Sequence, residues 1–216
     1  MEKISKTLGD HYRKKFLKYG ANTKGVDWGD KEWAGVLRQR KMLELVLPSS
    51  KKVSLLDVGC GYGALAEVVD DSQLNITYSG IEIVSEMVDA ANKKHPNLKF
   101  ICGDIIEEDI TNFDYIVCNG ILTQKLTATT LEMNHFANKL IKKMFKHCKI
   151  GIAFNIMSTH VNFQKDNLYY RNPAELMAWC MSELTPHVKF DCSYGLIYEY
   201  TVFLYKKTSL KNGEIN

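Results

Sequence analysis

Residues 53–63 read Val53-Ser54-Leu55-Leu56-Asp57-Val58-Gly59-Cys60-Gly61-Tyr62-Gly63. The first six form a short, mostly apolar run, as expected of a strand buried on both faces of a parallel sheet. The remaining five carry three glycines spaced by two, directly ahead of a helical pattern that starts at Ala64. Glycine permits a tight turn and close approach of backbone to a ligand. Strand, glycine turn and helix form the repeating unit of a doubly wound α/β sheet, in which ligands bind beyond the carboxyl ends of the strands. The loop is therefore expected to touch a cofactor; a purely structural turn is the alternative. Its G-x-G-x-G spacing differs from the G-x-G-x-x-G of dinucleotide sites, which disfavours NAD.

Outward from this stretch the chain alternates. Further strands are expected at 76–81, 98–102, 113–118 and 150–157, with a helix at 85–94 between the first two. Thr129 and Glu132 have the spacing of a capping box. Behind them Met133, Phe136, Ala137, Leu140, Ile141, Met144 and Phe145 make a helical core stripe. Asn172-Pro173 opens another helix. Two last strands, 188–192 and 197–205, turn at Gly195 and read as an antiparallel closing pair. Ahead of the glycine loop, a basic helix is expected at 9–19. A second, capped by Asp30, shows an apolar face of Trp33, Val36 and Leu37, runs to about Leu47 and stops before Pro48. The expected organisation is a helical cap or lid at 1–50, an α/β domain at 51–207 and a tail at 208–216.

Of 216 residues, 45% are hydrophobic, enough for a sizeable core, and the net charge is only +3. That charge does not suggest a dedicated nucleic-acid binder. Lys139, Lys142, Lys143, Lys146 and Lys149 lie opposite the core stripe and read as a solvated helix face. No apolar run reaches the ~20 residues of a membrane span, and residues 1–18 lack a signal-peptide core. Six scattered cysteines without a C-x-x-C pair read as reduced thiols in a cytoplasmic chain with no metal site.

Glu82 ends the second strand between two isoleucines, where a carboxylate can accept hydrogen bonds from both ribose hydroxyls of a nucleoside; the alternative is a surface glutamate. Asp104, after the third strand, can accept from an adenine amino group, with Ile83 and Ile105 against the ring; the alternative is a turn residue. Together, residues 55–63, Glu82 and the Gly103-Asp104 step resemble the motifs of the class I S-adenosylmethionine-dependent methyltransferases, and the resemblance covers roughly residues 52–205. It implies a mostly parallel, seven-stranded Rossmann-like sheet with an antiparallel last strand, and S-adenosylmethionine as cofactor. It further implies that Gly59, Gly61 and Gly63 line the methionine end and ribose. By the same resemblance, Asp57 holds the loop or the cofactor's amino group, and Asn119 and Gly120 contact the methionine portion and admit substrate.

Methyl transfer depends on holding the nucleophile in line, and a hydroxyl nucleophile benefits from a base. His160, after the fifth strand, is the first candidate base; Asp166 and Glu199 are weaker ones, and His135 reads as structural. His11 lies in the N-terminal region. Trp28 and Tyr12 either cover the substrate or anchor the cap. Asn155, Tyr170 and Arg171 are candidate substrate contacts, although Arg171 can equally pair with Glu175. The Asn/Asp/Ser-Pro-Pro-aromatic pattern of amino-methylating nucleic-acid enzymes is absent at Asn119-Gly120-Ile121-Leu122. The layout is similar to small bacterial methyltransferases. It points to a small-molecule acceptor, such as a hydroxyl of a sugar or sugar nucleotide, and to a monomer or homodimer. The alternatives are an RNA or protein methyltransferase and a non-catalytic S-adenosylmethionine-binding sensor or scaffold.

Overall fold

A computed structural model describes residues 2–47, 50–196 and 198–207. The expected tail at 208–216, the Pro48 stop and the first residue of the expected last strand lie outside these. Two helices, α1 (Glu2–Tyr19) and α2 (Glu32–Leu43), precede the sheet. Then follow β1 (Val53–Val58), α3 (Ala64–Asp71), β2 (Ile76–Glu82), α4 (Ser85–Lys94), β3 (Lys99–Cys102) and β4 (Phe113–Cys118). The second half comprises α5 (Thr130–His147), β5 (Cys148–Ser158), β6 (Tyr170–Arg171), α6 (Pro173–Glu183), β7 (Val188–Asp191) and β8 (Glu199–Tyr205).

The strand order is β3-β2-β1-β4-β5-β8-β7. Strands β1 to β5 pair in parallel, and β8 lies antiparallel between β5 and β7. This is the expected doubly wound sheet with its last strand reversed. An eighth, two-residue strand, β6, pairs with the end of β5 beyond the reach of β4.

Period-two alternation divides the core. Leu56, Ile116, Ile152, Phe154, Val202 and Leu204 face the α5 stripe, all buried. Leu55, Tyr115, Val117, Ala153 and Phe203 face the other layer with Met42, Leu65 and Val69 from α2 and α3. The Thr129–Glu132 capping box closes at the start of α5, and Asn172 caps α6 ahead of Pro173.

The N-terminal region departs from expectation in three respects. First, α1 begins at Glu2 rather than residue 9, passing straight through Gly9. A side chain at Gly9 would come within 3.2 Å of Ile83 Cγ2, so the glycine lets the helix settle onto that residue. Second, Asp30 does not cap α2: it pairs with Lys24 at 3.0 Å, Lys31 occupies the cap position, and the helix ends at Leu43. Third, α2 buries Ala34, Gly35, Gln39, Met42 and Leu43, while Trp33 and Val36 of the expected apolar face are exposed.

Candidate active site

Strand register assembles the site. Val58 pairs with Ile81 on one side and Cys118 on the other, and Glu82 pairs with Cys102. The residues just past these ends, Gly59, Asn119 and Gly103, therefore meet Glu82 along one edge of the sheet. Gly59 and Cys60 both donate to the Ile81 carbonyl, folding the loop back over β2. The buried Glu82 carboxylate accepts the Gly61 amide at 3.1 Å and the Val84 amide at 2.9 Å. At Gly59 (φ 71°) a side chain would collide with Ile121. At Gly61 (φ 55°) it would meet only Val26, at 3.4 Å, and project into open space.

That space is a cavity of about 370 Å³. Its roof consists of two helix faces: Ser5, Leu8, Gly9 and Tyr12 from α1, and Glu32, Gly35, Val36 and Gln39 from α2. Both sets follow i, i+3, i+4, i+7 spacing, which places them on one side of a helix. His11 and Lys15 fasten α1 to Asp27, at 2.7 and 2.8 Å. Tyr12 donates to the Gly120 carbonyl at 3.3 Å. The Trp28 indole lies against Gly35 and Gly120 and under the Arg38 guanidinium, 5.3 Å from its ring centre. Trp28 thus both lines the cavity and anchors the cap.

Two buried carboxylates face this space. Burial pushes Asp57 up to about 7, against a hydrogen bond from Tyr78 that lowers it and the Glu82 charge that raises it further. Burial likewise raises Glu82, against the backbone amides that favour its ionised form. Neither carboxylate has a cationic partner among the described residues. Asn119 also lines the cavity; its Oδ1 is buried with no hydrogen-bond partner among the described residues. A cationic, hydrogen-bonding nucleoside suits these groups; a pyrophosphate would meet two like charges.

Of the residues singled out in the sequence, Asp57, Gly59, Gly61, Glu82, Ile83, Asp104, Ile105, Asn119, Gly120, Tyr12 and Trp28 line the cavity. Gly63, Asn155, His160, Tyr170 and Arg171 are not among its lining. Gly63 heads α3 and faces His95 and Phe100. Asn155 is one layer behind, accepting the Gly120 amide at 2.8 Å and donating to Glu199 at 3.2 Å. His160 is exposed, and its backbone amide donates to Ser158 Oγ. The chain after it crosses to the segment following β4: Lys125 and Leu126 donate to the Asn167 carbonyl, and Tyr169 donates to that of Thr123. That crossing carries Tyr170 and Arg171 away from the cavity. Arg171 donates to Asn138 and stacks on Trp179 rather than pairing with Glu175. Among the remaining candidates, His135 and Asp166 are exposed, and Glu199 is buried against Arg38.

Gln39, Asp27 and Arg38 were not singled out as site residues. Their contacts run 80, 97 and 161 residues along the chain, to Asn119, Gln124 and Glu199. The one local signal is the 32, 35, 36, 39 spacing on α2, which Trp33 and Leu37 obscure.

Strand order, glycine loop and paired acidic positions define a class I S-adenosylmethionine-dependent methyltransferase. The profile described as "Methyltransferase domain" matches residues 49–209, and the chain belongs to that family. A Mycobacterium tuberculosis protein, Rv1506c, named provisionally as a methyltransferase, is 30% identical over 166 residues, covering 74% of this chain and 98% of its own length. Among solved structures, Haemonchus contortus phosphoethanolamine N-methyltransferase 1, bound to phosphoethanolamine and S-adenosylhomocysteine, superposes with TM-score 0.65 at 9% identity. The match covers 95% of this chain but only 49% of that enzyme. S-adenosylmethionine-bound CalS10, an amino pentose methyltransferase from Micromonospora echinaspora, gives 0.55 at 15% identity, covering 81% and 92%. At these identities the structural likeness concerns the fold.

Proposed function

We propose that this chain methylates a small-molecule acceptor, with Asp57, Gly59, Gly61, Glu82, Ile83, Asp104, Ile105, Asn119 and Gly120 as the cofactor site. The observation that carries this reading is the pair of buried carboxylates, Asp57 and Glu82, on a helix-roofed cavity, neither with a cationic partner among the described residues; the lining lysine, Lys94, pairs with Glu67. When bound there, S-adenosylmethionine supplies an electrophilic methyl group on a cationic sulfur. The chain's part is to bind it at the edge of β1, β2 and β4, exclude water with α1 and α2, and align the nucleophile.

A small acceptor suits a roofed cavity better than a macromolecule does. The lysines of α5 and the start of β5 do not form a free basic stripe: Lys139 and Lys142 on α5 pair with Glu107 and Glu183, and Lys149 on β5 pairs with Asp114. Sugars and sugar nucleotides are the acceptors we put first. This choice is supported by the likeness to small bacterial enzymes and by the amino pentose acceptor named for the CalS10 fold relative. Calorimetric titration with S-adenosylmethionine and S-adenosylhomocysteine, with NAD as control, tests the cofactor site. Saturable binding of the first two alone is expected. A labelled-methyl transfer screen over sugars, sugar nucleotides and small amines then tests the acceptor class.

A further inference from the structure

Three donors from two parts of the chain converge on the Asp27 carboxylate. His11 Nε2 lies 2.7 Å from Oδ2, the Gln124 amide donates to the same oxygen at 3.1 Å, and the Lys15 ammonium meets Oδ1 at 2.8 Å. His11 and Lys15 are one turn apart on α1, so they grip the carboxylate from one side of that helix. Gln124 comes from the segment after β4 and accepts from Asn167 at 3.0 Å. The Asp27 side chain is 20% exposed, and water and salt screen partly buried contacts much less than surface ones.

The carboxylate is presented on a braced turn. Asp27 holds a left-handed backbone (φ 59°), a region that aspartate tolerates better than most residues. Its amide donates to the Lys24 carbonyl at 3.1 Å, and the Trp28 amide donates to that of Thr23 at 2.8 Å. The directional contacts of α1 elsewhere on the cavity rim are lighter. Gly9 meets Ile83 without a side chain, and Tyr12 donates to Gly120 across 3.3 Å. Arg13 pairs with Glu86, but its side chain is more than half exposed, and such pairs hold weakly. Burial of Leu8 also keeps α1 down, through apolar contact that has no direction.

This grip is adjacent in the chain to the closure of the cavity. Tyr12 follows His11 and Trp28 follows Asp27, and both aromatics line the cavity and meet Gly120. Holding His11 on Asp27 therefore sets where Tyr12 and Trp28 close. We propose that Asp27 is a positioning residue that acts as the catch of the roof: cofactor and product exchange when α1 leaves Asp27 and turns about Gly20, and the bonds to this carboxylate set the rate of that exchange rather than the affinity. The proposal rests on the cofactor reading above and concerns the passage of ligands, not their contacts. Gly20 (φ 75°) joins α1 to the Asp27 turn, and a Cβ there would meet nothing within 4 Å, so the joint has room to move. None of the four side chains, His11, Lys15, Asp27 and Gln124, lines the cavity. Their contacts are thus the same with the ligand in or out, and a contact equal in both states shifts no affinity. One opening serves entry and exit, so a weaker catch speeds both.

Surface plasmon resonance with S-adenosylhomocysteine on the immobilised intact chain, Asp27→Asn and Lys15→Met gives both rate constants. Asparagine also tolerates the left-handed backbone, so Asp27→Asn removes the charge and spares the turn. Association and dissociation should both speed up, about tenfold in Asp27→Asn and about threefold in Lys15→Met, with Kd within about twofold of the intact chain, from the loss of charge-assisted hydrogen bonds. Lys15→Met leaves Asp27 in place and carries the test if the asparagine variant does not fold. A residue that only braced the fold would lower the melting temperature and speed dissociation alone. A change confined to one rate constant, or no change in either variant, overturns the proposal. Failure of S-adenosylhomocysteine to bind the intact chain overturns instead the cofactor reading on which it stands.

Discussion

The Gly61 amide donates to Glu82 across 3.1 Å, and the other oxygen of that carboxylate takes the Val84 amide, so one buried side chain fixes the glycine loop and the start of α4 together. Each carboxylate oxygen retains a free lone pair for a ribose hydroxyl. Glu82→Ala should therefore weaken S-adenosylhomocysteine binding by about 1–3 kcal/mol and lower the melting temperature as well, because two backbone donors lose their partner. Calorimetry and thermal melts on the same sample check this. Unchanged affinity with a lowered melt would leave Glu82 a purely structural brace.

Gly61 separates folding from binding. Its φ of 55° costs an alanine about 1–2 kcal/mol. The nearest atom to the new methyl group, Val26 Cγ1, is 3.4 Å away, an ordinary contact. Gly61→Ala should fold with a modest drop in melting temperature, and Gly61→Val with a larger one. Both should lose most cofactor affinity, because their side chains occupy the cavity. Near-normal binding by folded Gly61→Val would remove the loop from the cofactor's path.

Asp57 gives the protein a pH signature. Burial lifts its carboxyl from 3.8 to about 7. Between those values the native state keeps a proton that the unfolded chain has shed, so stability contributed through Asp57 falls as pH rises through the window. A cationic ligand favours the ionised form, so cofactor binding below about pH 7 should release a proton. Melting temperature of the ligand-free protein should decline from about pH 4.5 to 7.5, and Asp57→Asn should flatten that slope. Calorimetry in buffers of different ionisation enthalpy would detect the released proton. A slope identical in Asp57→Asn would assign the decline to other groups.

The sheet and the cavity at its edge were legible because their signals are local. Each parallel strand is a short apolar run bounded by charge or glycine, and the residues just past the strand ends are where a doubly wound sheet must bind. The register of β1 with β2 and β4 then delivers Asp57, Glu82 and Asn119 to one cavity. The acceptor side was not legible. His160, Tyr170 and Arg171 follow β5 in sequence, but backbone bonds from residues 125, 126 and 169 fold that connection onto the segment after β4. Nothing in the local pattern announces such pairing between two loops. The roof was misread for a similar reason. Gly9 looks like a break until its packing on Ile83 is seen, and Gln39 looks solvent-facing until it meets Asn119.

Arg38 and Glu199 provide the last test, because their pairing spans the longest stretch of chain at the site. The guanidinium Nε reaches both Glu199 oxygens, at 2.8 and 3.1 Å, and Glu199 accepts from Asn155, which holds the Gly120 amide. Arg38 also covers Trp28. Removing Arg38 alone leaves a buried carboxylate with only Asn155, and breaking such a pair costs about 3–5 kcal/mol. Arg38→Met should therefore lower the melting temperature sharply. Arg38→Met combined with Glu199→Leu should recover much of the loss, since an apolar pair of similar size avoids the stranded charge. Binding should not recover with it. With Glu199 gone, Asn155 loses the acceptor that orients it toward Gly120, and Trp28 loses its cover, so the double variant should remain weaker for S-adenosylhomocysteine than the intact chain. Full recovery of both stability and affinity would show that this buried chain of contacts supports only the fold.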